Sequence, residues 1–212
     1  MKSRKNIIIL VIESFLLLGV IMSCKFYNVE YNNIIKNYPD EFVAHFPKLI
    51  KDGTVIWTDN PNYEGTVLFL LQKDTTENYY NLKNKIKKFA KAIYHADDSC
   101  LLVINKFTTI QNLPYKPKAK KKEIIEYVNK DCLKNKLPVP NFFEIYENEE
   151  ATLSRLPKEF DIYVLEAKKG LFWDEKHRSS GEYMPDYWKH GYSRGIAMND
   201  KTHELIYWFV LW

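Results

Sequence analysis

The twenty residues Ser193–Trp212 read SRGIAMNDKTHELIYWFVLW and decide the fold. Ser193–Met198 goes out, Asn199-Asp200-Lys201 supplies turn chemistry, and His203–Trp212 returns, which is the pattern of a β-hairpin. The returning segment Leu205-Ile206-Tyr207-Trp208-Phe209-Val210-Leu211-Trp212 has no polar position on either side of the alternation. A strand that is apolar on both faces belongs inside a sheet or is covered on both sides. The C-terminus is therefore expected in the middle of the molecule.

Upstream segments supply partners for it. Val55-Ile56-Trp57 and Thr66–Leu71 read as strands joined by the turn residues Asp59-Asn60-Pro61-Asn62. Asp74 and Glu77 offer a start for a helix over 75–94, with Tyr79, Leu82, Ile86, Phe89, Ala90 and Ile93 on one face and lysines around the rest. The apolar run Leu101–Ile104 then reads as a strand, so that strand 66–71, helix 75–94 and strand 101–104 form a right-handed parallel crossover. A loop over 107–122, a helix from Lys122 to Leu133 with Ile125, Val128 and Cys132 on its apolar face, an extended stretch at 137–140 and a strand at Phe160–Ala167 complete the pattern. The expected class is α+β or mixed α/β: one domain with a five- to six-stranded mixed sheet, packed helices and a C-terminal hairpin.

The N-terminus carries a different signal. Lys2, Arg4 and Lys5 precede the apolar stretch Ile7–Ile21, followed by Ile21-Met22-Ser23-Cys24. A stretch of fifteen residues suits a secretory signal better than a spanning helix, which needs about 20. The order resembles the signal peptide and lipobox of bacterial lipoproteins. Met22 is bulkier than that family's usual residue, and Glu13 interrupts the apolar stretch. An uncleaved anchor helix and a buried first helix are the alternatives. The resemblance implies cleavage of residues 1–23, acylation of Cys24, a tether over 24–37 and a domain over 38–212. The implied place is the cell envelope, membrane-anchored and facing the periplasm, with the lipid membrane as first partner. Lys25-Phe26-Tyr27-Asn28, after the cysteine, lacks an acidic run.

Removal of residues 1–23 leaves 28 basic and 26 acidic residues, a near balance that gives no case for a nucleic-acid partner. Cys100 and Cys132 both read as core positions, because cysteine is often buried, although in an exported protein they could pair.

Residues 170–195 form the candidate site. They hold four of the seven glycines and two of the five histidines, and a long irregular stretch in a compact domain is commonly functional. Trp173, His177, Arg178, Trp188, His190 and Arg194 are the candidate binding residues. For catalysis, His177 or His190 would act as base, with Asp174, Glu175 or Asp186 orienting it and Ser179 or Ser180 as nucleophile. No GxSxG elbow accompanies them. The chain has no HExxH or paired CxxC, so no metal and no cofactor are expected. Trp57, Tyr63, Trp173 and Trp188 could form a stacking platform or serve as core. The run Lys116–Lys122 reads as a solvated loop with a lipid-headgroup alternative.

The leading expectation is a non-enzymatic, lipid-anchored binding module for a protein or glycan; a toxin-immunity or inhibitor protein is one version, which no motif demands. An envelope hydrolase and a structural envelope component are the rivals.

Overall fold

The computed structural model describes residues 28–50, 53–60, 65–108, 119–147, 149 and 151–212. The signal-like segment, Cys24, Tyr63, Pro61-Asn62 and Lys116–Lys118 lie outside them. The chain divides into two compact units, residues 1–52 and 53–212.

In the first unit, residues 28–35 form helix α1 where a tether is expected. Asn28 brackets Ile50, with Nδ2 donating to its carbonyl and Oδ1 accepting from its N–H, both at 2.9 Å. The Tyr31 hydroxyl donates to Pro47 O at 2.6 Å. Helix α2, Asp40–Val43, buries Phe42 and Val43; Pro47 follows soon after it, and Leu49 is exposed.

The second unit is α+β. Its sheet has six strands: β1 (Thr54–Asn60), β2 (Gly65–Lys73), β3 (Ala92–His95), β4 (Phe160–Lys169), β5 (Gly191–Asn199) and β6 (Glu204–Leu211). Their order is β1-β2-β6-β5-β4-β3 and all neighbours are antiparallel. The expected C-terminal pair is β5–β6. Strand β6 lies between β2 and β5, with Trp208 opposite Phe69 on one side and Gly195 on the other. A Cβ at Gly195 would overlap the Tyr163 carbonyl and the Trp208 indole. Glycine is thus the residue that lets the indole lie across its neighbouring strand.

The parallel crossover expected from the sequence is absent. Helix α3 (Thr76–Phe89) stops at Ala90, and the next residues form the edge strand β3, not a last helical turn. Thr75 caps α3, accepting from Asn78 N at 3.4 Å. Its buried side holds Tyr79, Lys83 and Ile86, while Phe89 is exposed. Lys83 is inside because it reaches Asp161 at 3.2 Å and also Asp200, where the Tyr79 hydroxyl donates as well. Burial alone would lower the Lys83 ammonium, but the bonds to Asp200 and Asp161 outweigh it and raise it.

Leu101–Ile104 is buried yet is not a sheet strand. It belongs to the layer formed by the described residues between 96 and 159, whose Leu133, Val139, Phe142 and Leu156 meet Val67, Phe69, Ile162, Ile206 and Trp208 on one face of the sheet. Its backbone is satisfied locally. The Tyr127 hydroxyl accepts from Val103 N and donates to Leu101 O, both at 2.7 Å. Ile104 N and Leu102 O bond Val139. An apolar run reports burial, and here side-chain and loop partners replace the ladder.

Helix α4 (Lys121–Val128) buries Tyr127 and leaves Ile125 exposed, so the expected Ile125–Val128–Cys132 face is rotated. Cys132 is exposed and Cys100 half-buried, and they form a disulfide. They read as core in the sequence because burial and pairing leave the same local pattern. No helix among the described residues is long and apolar enough to cross a membrane.

Two outcomes follow for stability. Trp208→Ala costs about 3–5 kcal/mol from the cavity it leaves. Gly195→Ala costs about 1–3 kcal/mol by overpacking the same spot. Both are read as a lower urea midpoint. Closing a loop across 32 positions stabilises by about 3–4 kcal/mol. Reduction, or the pair Cys100→Ser with Cys132→Ser, therefore lowers Tm by about 10 °C in a thermal melt.

Candidate functional site

The segment joining β4 to β5 is built from short tight pieces. Gly170 N donates to His190 O, closing its two ends at 3.1 Å. Glu175–His177 and Asp186–Trp188 are single 3₁₀ turns, the second started by Pro185. Gly181 has φ 64°, and a Cβ there would overlap the Lys189 carbonyl. These constraints turn an irregular sequence into a fixed surface.

His177 is held by a residue from another strand. Its Nδ1 lies 2.7 Å from Asp59 Oδ2 at the end of β1. The Thr66 hydroxyl lies between them, 2.8 Å from Asp59 Oδ1 and 3.0 Å from the His177 carbonyl. Trp173 stacks on the imidazole, with ring centroids 4.1 Å apart and planes at 19°. Trp173 has φ 58°, a conformation that costs a bulky residue about 1–3 kcal/mol, which the stack offsets. The orienting carboxylate is thus Asp59, not Asp174, Glu175 or Asp186. Sequence reasoning assigned Asp59 to a turn, since 118 positions separate the pair. Asp174 is exposed and its carbonyl starts the turn by accepting from His177 N.

A second anchor is buried. Asn105 Nδ2 donates to Ser179 Oγ at 2.8 Å, and Gly181 N donates to the same oxygen at 3.4 Å. Ser180 Oγ accepts from Glu182 N. Among the described residues neither serine hydroxyl bonds a histidine.

The other candidates separate. Trp188 is 4% exposed, packs beside Trp212 and accepts from Trp212 Nε1 through its carbonyl at 2.9 Å. Trp57 is exposed on β1 opposite Leu68, whereas Trp188 joins the core with Val67 and Phe69. The two indoles are on opposite faces of the sheet, which excludes a shared stacking platform. Arg194 pairs with Glu166 on the adjacent strand at 2.9–3.0 Å, on the sheet face away from the core layer. Burial would raise the Glu166 carboxyl, but Lys168, Tyr192 and Arg194 hold it below the ordinary value.

Arg178 and His190 do come together. With Leu171, Glu175, Lys176, Ser179, Ser180 and Lys189 they line a pocket of about 720 Å³, within the range of small-molecule sites. Burial lowers the His190 imidazole below the ordinary histidine value, the Arg178 and Lys189 cations lower it further, and the Trp212 carbonyl opposes them. No three His, Cys, Asp or Glu side chains among the described residues group as metal ligands.

No protein-family model, curated protein or solved structure matches this chain. The site is therefore read from its own geometry.

A histidine with a depressed folded value favours the fold while neutral. Its contribution is present above the ordinary value of 6.5 and is lost as pH falls through the folded one. His190→Gln is expected to flatten the loss of stability between about pH 7 and 5, measured as denaturation midpoints across that range. Asp59→Asn is expected to free the Trp173–His177 stack, read as faster hydrogen exchange over 173–178 with the sheet amides unchanged.

Proposed function

We propose that this chain is a lipid-anchored protein of the bacterial cell envelope that acts by binding, not by catalysis, through the surface of residues 171–190. The observation that carries the reading is the pocket. A rigid loop, closed at its base and anchored to β1 and Asn105, presents Arg178, Lys189 and His190 around a concave space. Such pre-formed concavity with few placed polar groups is the usual form of a binding site. The partner is a protein or glycan, and a toxin-immunity or inhibitor role fits this description.

The anchoring half of the proposal rests on residues 1–24, and the disulfide Cys100–Cys132 supports it. Disulfides persist in oxidising compartments, where an exported chain folds. Acylation of Cys24 with two or more chains would hold the protein stably at a membrane. Against the hydrolase alternative, neither neighbouring serine hydroxyl bonds His177, although Asp59 orients that histidine as a catalytic base needs.

Metabolic labelling with a palmitate analogue tests the anchor. Labelled, shortened protein is expected from the wild type and none from Cys24→Ala; label-free protein retaining residues 1–23 sinks the anchor. Binding is tested with the pair Arg178→Glu and Lys189→Glu. It should abolish capture of an envelope partner while leaving the thermal transition intact, whereas undiminished capture moves the site elsewhere.

A further inference from the structure

The pocket at residues 171–190 has an uneven complement of charge and of hydrogen-bonding groups. Lys176, Arg178 and Lys189 are cations, and Glu175 is the one acid among the lining residues. Lys176 lies 3.8 Å from Asp174, outside the pocket lining. Among the described residues, Arg178 and Lys189 have no carboxylate within 4 Å, although both are close enough to His190 to act on its charge.

The two serines add direction. Ser179 Oγ already accepts from Asn105 Nδ2 and Gly181 N, and Ser180 Oγ accepts from Glu182 N. Each hydroxyl keeps its own proton to give, and Ser180 Oγ keeps a lone pair as well. Arg178, Lys189, Ser179 and Ser180 thus all line the pocket with a proton to donate. An unpaired guanidinium with an ammonium and two hydroxyls is complementary to a group with several charged oxygens. Leu171, exposed at one side, offers apolar surface to whatever carries that group. A pocket of about 720 Å³ holds far more than a bare ion.

We infer that this pocket binds the phosphate group of an organic phosphate, with Arg178 and Lys189 neutralising its charge and the Ser179 and Ser180 hydroxyls donating to its oxygens. The inference rests on the reading of residues 171–190 as a binding surface and names the chemistry that surface recognises. The phosphate is either that of a soluble organophosphate or that of a lipid headgroup beside the anchor.

The full chain, purified in a non-ionic detergent, is titrated with glycerol phosphate by calorimetry while the His190 ring proton is followed by NMR. Saturable binding at one site is expected, together with an upward move of the His190 titration as the bound dianion favours the imidazolium. Arg178→Gln and Lys189→Gln should each weaken binding about tenfold or more, the loss of one charge-assisted contact. Lys120→Gln, away from the pocket, should change nothing. The inference is overturned by absence of saturable binding, by equal affinity in the folded Arg178→Gln protein, or by acetate binding as tightly as glycerol phosphate.

A second arm uses vesicles of phosphatidylglycerol against phosphatidylcholine. Vesicle binding that glycerol phosphate displaces and Arg178→Gln removes assigns the lipid source. Binding of glycerol phosphate without such displacement assigns the soluble one. In the wild-type protein, envelope-partner capture without organophosphate binding defeats the phosphate assignment alone, whereas absence of both defeats the binding reading too.

Discussion

The structure depends on one crossing of side chain and strand, the Trp208 indole lying over Gly195. Strand β6 is the last in sequence and sits in the middle of the sheet, hydrogen-bonded on both edges and covered on both faces. Its even-numbered side chains, Ile206, Trp208, Val210 and Trp212, meet the layer formed by the described residues between 96 and 159. Its odd-numbered ones, Tyr207 and Phe209, turn to the other face, where burial pushes the Tyr207 hydroxyl up to about 12. The indole fits only because β5 carries no side chain at the opposing position. A central strand that comes last in the chain makes the joining of β1–β2 to β5–β4–β3 conditional on the final residues.

The layer over that face is mostly irregular, and this is affordable because its polar backbone has specific partners. Tyr127 serves both an N–H and a carbonyl of the 101–103 segment, Val139 serves two more groups, and Ser193 Oγ donates to Pro138 O at 2.7 Å. The disulfide ties Cys100, just before this segment, to Cys132, just after α4. Irregular chain can thus fill a core at native density without forming a second sheet.

The candidate surface follows from the same sheet. Residues 170–190 are clasped at their base by Gly170 and His190 and tied sideways to β1 by Asp59–His177. Below, Trp188 is held through its bond from Trp212 at the end of the central strand. Trp188 is buried as an anchor, while Lys176 and Lys189 stay exposed. Among the described residues, Arg178 and Lys189 have no carboxylate within 4 Å, which leaves their charge available to a ligand.

The sequence by itself determined what alternation and composition can encode. The interior position of Leu205–Trp212, the β5–β6 hairpin, the hairpin of β1 and β2 and the helix after Thr75 were all legible, since each is a local pattern; of the candidate site only its irregular, glycine- and histidine-bearing stretch was. Tertiary structure decided the rest. Leu101–Ile104 could not be told from a strand because burial alone makes a run apolar. Lys83 looked solvent-facing because its two aspartates are far away in sequence. Asp59 was invisible as the partner of His177 for the same reason, and Trp188 became core once Trp212 was placed beneath it. Local preference is written in neighbouring residues; charge pairing, strand order and pocket shape arise only when distant segments meet.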